Sequence, residues 1–312
     1  MTTKSTPNWA RGKVRHHFRR ELPLHLMLVP GIILYIVFCY IPMGGLVIVF
    51  QRFVPAKGLF GPQQWVGFEN FSYILSMPNT ANVIRNTVVI AVWKIVLGLI
   101  VPIIVSLMLN ELKNAHFKST IQTVIYFPYF ISWIVFAAIM MDILSPSNGI
   151  LNMLIKAMNL QPVYFLGSNS TFQQTIIWTD VWKTFGYGTI VYLAAMTSID
   201  PTLYEAATMD GAGRFQQLLH VTLPGISMVV TLMMVLSLGN VLNAGFDQIY
   251  NLYSPVVYET GDILDTMVYR LGLESAKYGP AAAAGAFKSL VSFVLVSVSY
   301  YVAVKFFDYR LF

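Results

Sequence analysis

Six long apolar stretches divide the sequence and restrict what it can fold into. They cover residues 24–50, 85–110, 119–143, 172–198, 224–246 and 281–306. Each contains about 23 to 27 residues, which is enough for a helix to cross roughly 30 Å of hydrocarbon with some tilt. The pattern therefore predicts an all-α integral membrane protein with six transmembrane helices.

Composition supports this prediction and excludes several other classes of protein. Of the 312 residues, 56% are apolar and only 11% are charged, and the mean hydropathy is +0.63, whereas soluble domains carry about a quarter charged residues. The single cysteine, Cys39, lies in the first apolar stretch and excludes a disulfide framework. The five histidines lack the spacing of metal ligands. We therefore predict no metal site, no bound cofactor, no enzymatic site and no nucleic-acid partner.

The charged segments predict the domain organisation and the orientation. Residues 1–23 form a basic tail, and the apolar run at 24–50 is too long for a signal-peptide core, so it is expected to remain as the first transmembrane helix. An extracytoplasmic loop (51–84), a transport core (85–306) and a C-terminal tail (307–312) follow. Lys and Arg are in excess in both tails and in the loops on their side of the membrane, which predicts cytoplasmic N- and C-termini.

The loop at 199–224 differs from the apolar stretches on either side. Asp200 is a candidate helix N-cap and Pro201 suits the first helical position, so a short helix is expected to run to about Asp210. Gly211 then breaks it. A second helical turn should lead to a proline that opens the next membrane helix, which gives a small helical knob on the cytoplasmic side.

The order of residues in this loop is specific. Glu-Ala-Ala at 205–207 is followed by three residues, Gly211, nine residues, the aliphatic Val221, one residue and Leu-Pro at 223–224. This order resembles the cytoplasmic coupling loop of permease subunits in bacterial binding-protein-dependent ABC importers, which implies the type I importer permease fold. The residues implied to couple to the ATPase are Glu205, Ala206, Ala207, Asp210, Gly211, Ala212, Arg214, Phe215 and Pro224. The alternative interpretation is an ordinary cytosolic connector between two helices.

The resemblance also implies partners. The sequence contains no Gly-x-x-x-x-Gly-Lys-Ser/Thr motif, so ATP and Mg would be bound by a separate ATPase subunit. A permease of this family is expected to work in the bacterial cytoplasmic membrane, in contact with lipids. Its expected partners are a second homologous permease, an ABC ATPase dimer and an extracytoplasmic solute-binding protein.

Polar residues inside the fourth and fifth stretches predict a substrate pathway, because polar groups at membrane depth are costly. In the fourth stretch they recur at the spacing of one helical face, and in the fifth Leu236, Asn240 and Asn243 form another face with Ser237 beside it. In the sugar-importing permeases that the chain resembles, positions shortly before and after the coupling loop hold sugar hydroxyls. The implied substrate-binding residues are Asp180, Trp182, Lys183, Thr184, Tyr187, Ser237, Asn240 and Asn243.

Structural roles for the same residues remain open at this point. The asparagines can serve as hydrogen-bonding contacts between helices, and Asp180 and Lys183 can neutralise each other along one helix. Lys94, in the second stretch, needs an anionic partner, which is Asp180, Asp142 or the substrate. In the third stretch, Pro128 predicts a kink.

Three further stretches indicate which subgroup of these permeases the chain resembles. They are Tyr-Phe-Pro-Tyr-Phe-Ile-Ser-Trp at 126–133, the loop at 144–152 and Val-Pro-Gly at 29–31. They are similar to the subgroup that imports oligosaccharides cut from polysaccharides such as alginate and pectin, which implies an oligosaccharide substrate, acidic or neutral. The alternative is an ion- or proton-coupled secondary transporter or channel that uses Asp180, Lys183 and Lys94 as a relay. Such folds usually show internal repeats, and the sequence shows none.

Overall fold

A computed structural model describes residues 8–59, 61–239 and 242–307. The chain divides into two compact units, Met1–Phe68 and Glu69–Phe312. Helices and strands are numbered in chain order.

The first unit is dominated by a long apolar helical segment. Helix α1 (Asn8–Tyr35) begins inside the predicted basic tail and continues into a π-helical turn at Ile36–Tyr40. Helix α2 (Ile41–Met43) and a 3-10 helix at Gly44–Phe50 complete it. The change of helix type coincides with Pro42 and two consecutive glycines, residues that disfavour a regular α-helix.

A short hairpin follows in the predicted loop. Strand β1 (Gln51–Arg52) pairs antiparallel with β2 (Gln64–Trp65), with Gln51 opposite Trp65 and Arg52 opposite Gln64. A 3-10 turn at Pro55–Lys57 lies between the strands. This predicted loop therefore has local structure of its own.

The described part of the second unit consists of helices joined by turns and loops. Its elements are α3 (Glu69–Ser76), α4 (Thr80–Asn110), α5 (Ala115–Phe130), α6 (Trp133–Ile143), α7 (Ile150–Ala157), α8 (Phe172–Thr197), α9 (Pro201–Met209), α10 (Arg214–Gln217), a π-helical turn (Leu218–Thr222), α11 (Leu223–Leu238), α12 (Phe246–Leu252), a 3-10 turn (Pro255–Val257), α13 (Tyr258–Gly261), α14 (Leu264–Tyr269), a second π-helical turn (Arg270–Glu274) and α15 (Tyr278–Phe307). The all-α prediction is confirmed.

Among the described residues, four helical segments are long and apolar enough to cross a membrane: Glu21–Phe50, Thr80–Asn110, Arg214–Leu238 and Tyr278–Val298. A fifth candidate is the pair α5 and α6, which is bent by 107°. The fourth predicted span is present as α8, with 26 residues, but its polar residues lower its hydropathy. The count of six transmembrane helices stays a prediction.

The predicted bounds of the fifth span, 224–246, are wrong. The helical segment begins at Arg214 and ends at Leu238, and residues 242–245, just before α12 begins at Phe246, are not helical. Pro224 therefore lies inside a continuous helical segment and does not open it. The π-helical turn at Leu218–Thr222 directly precedes α11, and local π-helical adjustments of this kind allow membrane helices to accommodate a proline.

Helix α8 is the centre of the second unit and packs against α4 and α5. Two glycines permit the close contacts. A Cβ atom at Gly186 would lie 2.1 Å from the carbonyl oxygen of Ile125, and one at Gly188 would lie 2.9 Å from the side chain of Pro102. The buried core beside it contains Ile90, Ala91, Phe136, Ala137, Met140, Leu144, Phe172, Ile176, Ile177, Ala244, Ile249, Leu252, Val257 and Ile263.

Candidate functional site

The structure confirms the short helix predicted in the loop between α8 and α11. Asp200 is the N-cap of α9, and its carboxylate accepts a hydrogen bond from the backbone N–H of Thr202 at 2.9 Å. This hydrogen bond stabilises the ionised form and lowers the pKa of Asp200. The cap therefore contributes at neutral pH, and its contribution is lost only as the pH falls through this lowered pKa.

Gly211 ends the helix in a left-handed conformation, with φ of +79°. Its N–H donates to the carbonyl of Thr208 at 3.0 Å, and the N–H of Ala212 donates to the carbonyl of Ala207 at 2.9 Å. These two bonds satisfy carbonyls at the end of α9, as in a Schellman-type cap. The predicted break at Gly211 is confirmed, and its cause is the backbone conformation.

Side chains tie α9 to the start of the next helical segment. The hydroxyl of Tyr204 lies 3.0 Å from the hydroxyl of Thr222, which is buried. Gln217 donates from Nε2 to the hydroxyl of Thr208 at 2.9 Å. We call α9, α10 and the turn between them the knob. These bonds make the knob an extension of the segment that contains α11.

The knob presents an exposed surface. All nine residues of α9 are described, and none of them is buried. Met209 and Phe215 are 88% and 71% exposed. Of the predicted coupling residues, Ala207 and Ala212 are half-buried, and the others are exposed: Glu205, Ala206, Asp210, Gly211, Arg214, Phe215 and Pro224. Large exposed apolar side chains in such a group are typical of a surface that binds another protein.

The polar residues predicted to share one face of α8 contact different partners in the structure. Asp180 pairs with Lys94 of α4, whose Nζ lies 3.2 Å from Oδ1. Of the three predicted partners of Lys94, the structure therefore selects Asp180. Thr184 donates to the main-chain carbonyl of Asp180 at 2.9 Å, within the same helix.

Lys183 contacts the main chain of α5. It is 5% exposed, and its Nζ donates to the carbonyls of Pro128 and Tyr129 at 3.1 and 3.0 Å. It also lies 5.1 Å from the centre of the Trp133 ring, a distance at which a cation is attracted to an aromatic face. Lys183 thus holds the end of α5 at the bend to α6, and it does not neutralise Asp180 through a direct ion pair.

Aromatic rings meet beside this bend. The rings of Tyr187 and Tyr129 are stacked, with centres 4.8 Å apart and planes at 12°, and Tyr126 continues the stack at 5.9 Å from Tyr129. Trp182 packs on Phe136 at 5.5 Å. Tyr187 and Trp182 remain 43% and 45% exposed. The structure therefore leaves ring surface available on both predicted aromatic residues.

The predicted face on the fifth span is only partly present. Ser237 is half-buried in the last turn of α11, whereas Asn243 lies beyond the end of the helix and is exposed. The helical spacing that joined Leu236 to Asn243 is therefore wrong. Asn240 lies outside the described residues. Two glycines, at 239 and 245, and two asparagines between them are a sequence signal for the end of a helix. The prediction of a continuous span overlooked this signal.

Gln248 is a central residue that the sequence did not reveal. It is fully buried in α12. Its Nε2 donates to the carbonyl of Ile176 at 2.8 Å and to the hydroxyl of Thr179 at 2.9 Å, and its Oε1 accepts a hydrogen bond from Lys94. A single glutamine in a mixed polar segment carries no periodic pattern, so only the tertiary contacts identify it.

The long apolar helices, the polar interior of the second unit and the exposed knob define a helical membrane transport subunit. Comparison with known proteins gives the family. Residues 95–310 match the family described as binding-protein-dependent transport system inner membrane component, and the chain belongs to this family. It is a permease subunit of an ABC importer, not an enzyme.

Individual proteins are similar over almost the whole chain. The polygalacturonan/rhamnogalacturonan transport system permease protein YteP of Bacillus subtilis (strain 168) is 38% identical over 283 residues, which is 91% of this chain and 88% of that protein. A bacterial ABC transporter involved in the import of the acidic polysaccharide alginate is 36% identical, with a TM-score of 0.87 over 94% of this chain and 99% of the other.

A second solved structure is similar in the same way. It is the bacterial alginate ABC transporter in complex with an alginate pentasaccharide-bound periplasmic protein. It is 36% identical to this chain, with a TM-score of 0.85 over 92% of this chain and 96% of the other. These findings favour the importer over the ion-coupled alternative.

Proposed function

We propose that this chain is the membrane subunit of an ATP-driven importer that translocates an oligosaccharide derived from a polysaccharide. The substrate class is supported by the relatives named above, which transport polygalacturonan, rhamnogalacturonan or alginate. The chain would cross the bacterial cytoplasmic membrane six times, with α5 and α6 together as the third crossing and α8 as the fourth. Both termini and the knob would lie in the cytoplasm, as the distribution of basic residues predicts.

The observation that carries the proposal is the exposed knob, in which α10 belongs to the helical segment of α11 and hydrogen bonds attach α9 to that segment. The knob would dock on an ABC ATPase dimer, with Met209 and Phe215 as apolar contacts and Glu205 as a polar one. When the ATPase dimer closes, displacement of the knob would move α11 with it, because Tyr204 and Gln217 bond across the junction.

The complete importer would contain several subunits. ATP and Mg would bind to the ATPase, and no cofactor would bind to this chain. A second homologous permease would complete the pathway through the membrane, and an extracytoplasmic solute-binding protein would deliver the sugar. The crystal structure of the alginate transporter in complex with its alginate pentasaccharide-bound periplasmic protein supports the presence of a binding protein.

The stacked rings beside the bend of α5 and α6 support a sugar pathway along α8. Aromatic side chains provide large apolar surfaces in ligand sites, and a few polar groups fix the orientation of the ligand. We assign ring contacts to Tyr187 and Trp182 and polar contacts to Thr184, Ser237, Asn240 and Asn243. Asp180 and Lys183 would act indirectly, since protein groups occupy both of them.

The test begins with the chain purified from its native membrane together with the subunits that bind to it. The proposal expects an ATPase, a second permease and hydrolysis of ATP that neutral or uronic oligosaccharides stimulate when the binding protein is present. Recovery of the chain alone, with sugar-independent ion flux in liposomes, would contradict it.

Substitution of Tyr187 tests the sugar pathway within the same complex. Tyr187→Ala should reduce sugar-stimulated ATP hydrolysis and leave subunit assembly intact, and Asn240→Ala should act in the same direction. Tyr187→Phe, which keeps the ring, should retain most of the stimulation. Trp178→Ala is the matched control, because Trp178 is an exposed aromatic residue of the same helix outside the tyrosine stack. Loss of assembly in Tyr187→Ala would instead assign this residue to packing.

A further inference from the structure

A main-chain oxygen atom just before α12 lies beside a cation. The helix ends at Leu238, and Gly245 adopts a left-handed conformation with φ of +94° just before α12. Lys94, from the middle of α4, donates from Nζ to the carbonyl of Ala244 at 2.7 Å. A Cβ atom at Gly245 would lie only 2.8 Å from this Nζ. Glycine at this position is therefore required both by the backbone conformation and by the approach of the ammonium group.

Two side chains complete the surroundings of the ammonium group. Asp180 Oδ1 lies 3.2 Å from Nζ, and Gln248 Oε1 accepts a second hydrogen bond. The amide of Gln248 is fixed in this orientation, because its Nε2 donates to the carbonyl of Ile176 and to Thr179. An ammonium group has three N–H donors, and all three have a partner. The side chain of Lys94 is only 9% exposed.

The three acceptors are the oxygen types that bind monovalent cations inside membrane transporters. Such sites combine a carboxylate or amide oxygen with main-chain carbonyls of an interrupted helix. We propose that Asp180, Ala244 and Gln248 form a monovalent-cation site of this type, and that the Lys94 ammonium occupies it as a covalently attached cation. The ammonium group would hold the start of α12 in place against α4 and α8. Lys94 would therefore be a positioning residue of the pathway.

The proposal predicts that the site binds a free amine when Lys94 is replaced by alanine. In Lys94→Ala, the oxygen atoms and the space of the removed side chain remain, and an exogenous primary alkylammonium ion can occupy both. The loss of the tethered cation leaves a buried carboxylate without its partner. We expect Lys94→Ala to lower the Tm of the purified complex and to reduce transport by more than about tenfold, since breaking a buried ion pair has a large effect.

The experiment measures rescue by amines of different size. The whole complex carrying Lys94→Ala is solubilised and assayed in n-propylammonium or n-butylammonium chloride. The reference is tetramethylammonium chloride at the same ionic strength, because this ion has no N–H donor. Primary amines should raise the Tm, the yield of assembled complex and sugar-stimulated ATP hydrolysis. Unchanged values in the primary amines, or equal values in both salts, would overturn the proposal, as would wild-type values without any amine.

Two variants distinguish binding of the amine at this site from general effects of amines on the complex. Lys94→Met fills the space without a charge and should show no rescue. Lys94→Ala combined with Asp180→Asn removes the anion and should abolish the preference for primary amines. Rescue of either variant to the same extent as Lys94→Ala would overturn the proposal. The Tm and the yield need no sugar, so the outcome is independent of whether the proposed oligosaccharide transport is correct.

Discussion

Two opposite charges on one face of α8 bind to different helices. Asp180 and Lys183 are three residues apart, a spacing that allows an ion pair on an exposed helix. In the structure Asp180 pairs with Lys94 of α4, and Lys183 donates to the carbonyls of Pro128 and Tyr129 at the end of α5. Each charge therefore connects α8 to another helix. Inside a membrane protein such contacts offset the cost of removing the charge from water.

Gly211 provides a test at the residue scale. A β-branched residue at its φ of +79° is strained by about 1–3 kcal/mol, whereas asparagine tolerates this region. Apart from its neighbours in the chain, no described atom would lie within 4 Å of a Cβ atom at this position, so the strain comes from the backbone alone. Gly211→Val should distort the knob and lower the amount of sugar transported per ATP hydrolysed, measured in proteoliposomes.

The matched variant is Gly211→Asn, which should keep the ratio of transport to hydrolysis close to that of the unaltered chain. Both variants should retain the same Tm for the membrane helices, because the knob is exposed. Equal coupling ratios in Gly211→Val and in the unaltered chain would refute the coupling role.

At the scale of elements, the bend of 107° between α5 and α6 shows how a broken helix is stabilised. Pro128 lies in the last turn of α5, which ends at Phe130, and Ser132 caps α6 by accepting a hydrogen bond from the N–H of Val135 at 3.4 Å. The last carbonyls of a helix have no partner within it. Two of them bind Lys183 of α8, so a neighbouring helix stabilises the bend that the proline initiates.

Lys183→Met tests this contact. It removes charged hydrogen bonds, each worth about 1.5–3 kcal/mol. The carbonyl of Tyr129 loses this donor, whereas that of Pro128 still accepts a hydrogen bond from the N–H of Ile131. We expect a lower Tm of the complex and weaker sugar stimulation, since Tyr129 stacks on Tyr187. Lys156→Met is the control, because Lys156 is exposed in α7. Equal Tm values for the two variants would show that Lys183 does not hold the bend.

At the scale of the whole molecule, the proposal requires the knob to lie on the cytoplasmic side and under an ATPase. Met209→Cys in a Cys39→Ser background places a single thiol at the most exposed part of α9. A membrane-impermeant maleimide should label it in inside-out vesicles only, and the bound ATPase should reduce the labelling. A control cysteine at the exposed Lys156 should be labelled in right-side-out vesicles only. The opposite pattern would contradict the proposed orientation.

Much of the fold could be predicted because it depends on local patterns. The lengths of the apolar stretches predicted helices that are present in the structure, and Asp200, Pro201 and Gly211 predicted the beginning and the end of α9, since capping and backbone conformation act within a few residues. The bounds of the fifth span could not be predicted in the same way. Hydropathy does not distinguish a continuous apolar helix from one that ends before the apolar stretch does.

The sequence by itself determined that the chain is an α-helical membrane protein with a knob between two apolar stretches, because these properties follow from length, composition and residues close together in the chain. Only the tertiary structure decided which polar groups meet. Lys94, Asp180 and Gln248 are far apart in sequence, and the binding of a buried ammonium depends on three oxygen atoms converging on it in space. The physical reason is that a charge inside the protein is stabilised by whatever acceptors packing brings to it, and local sequence patterns do not specify that packing.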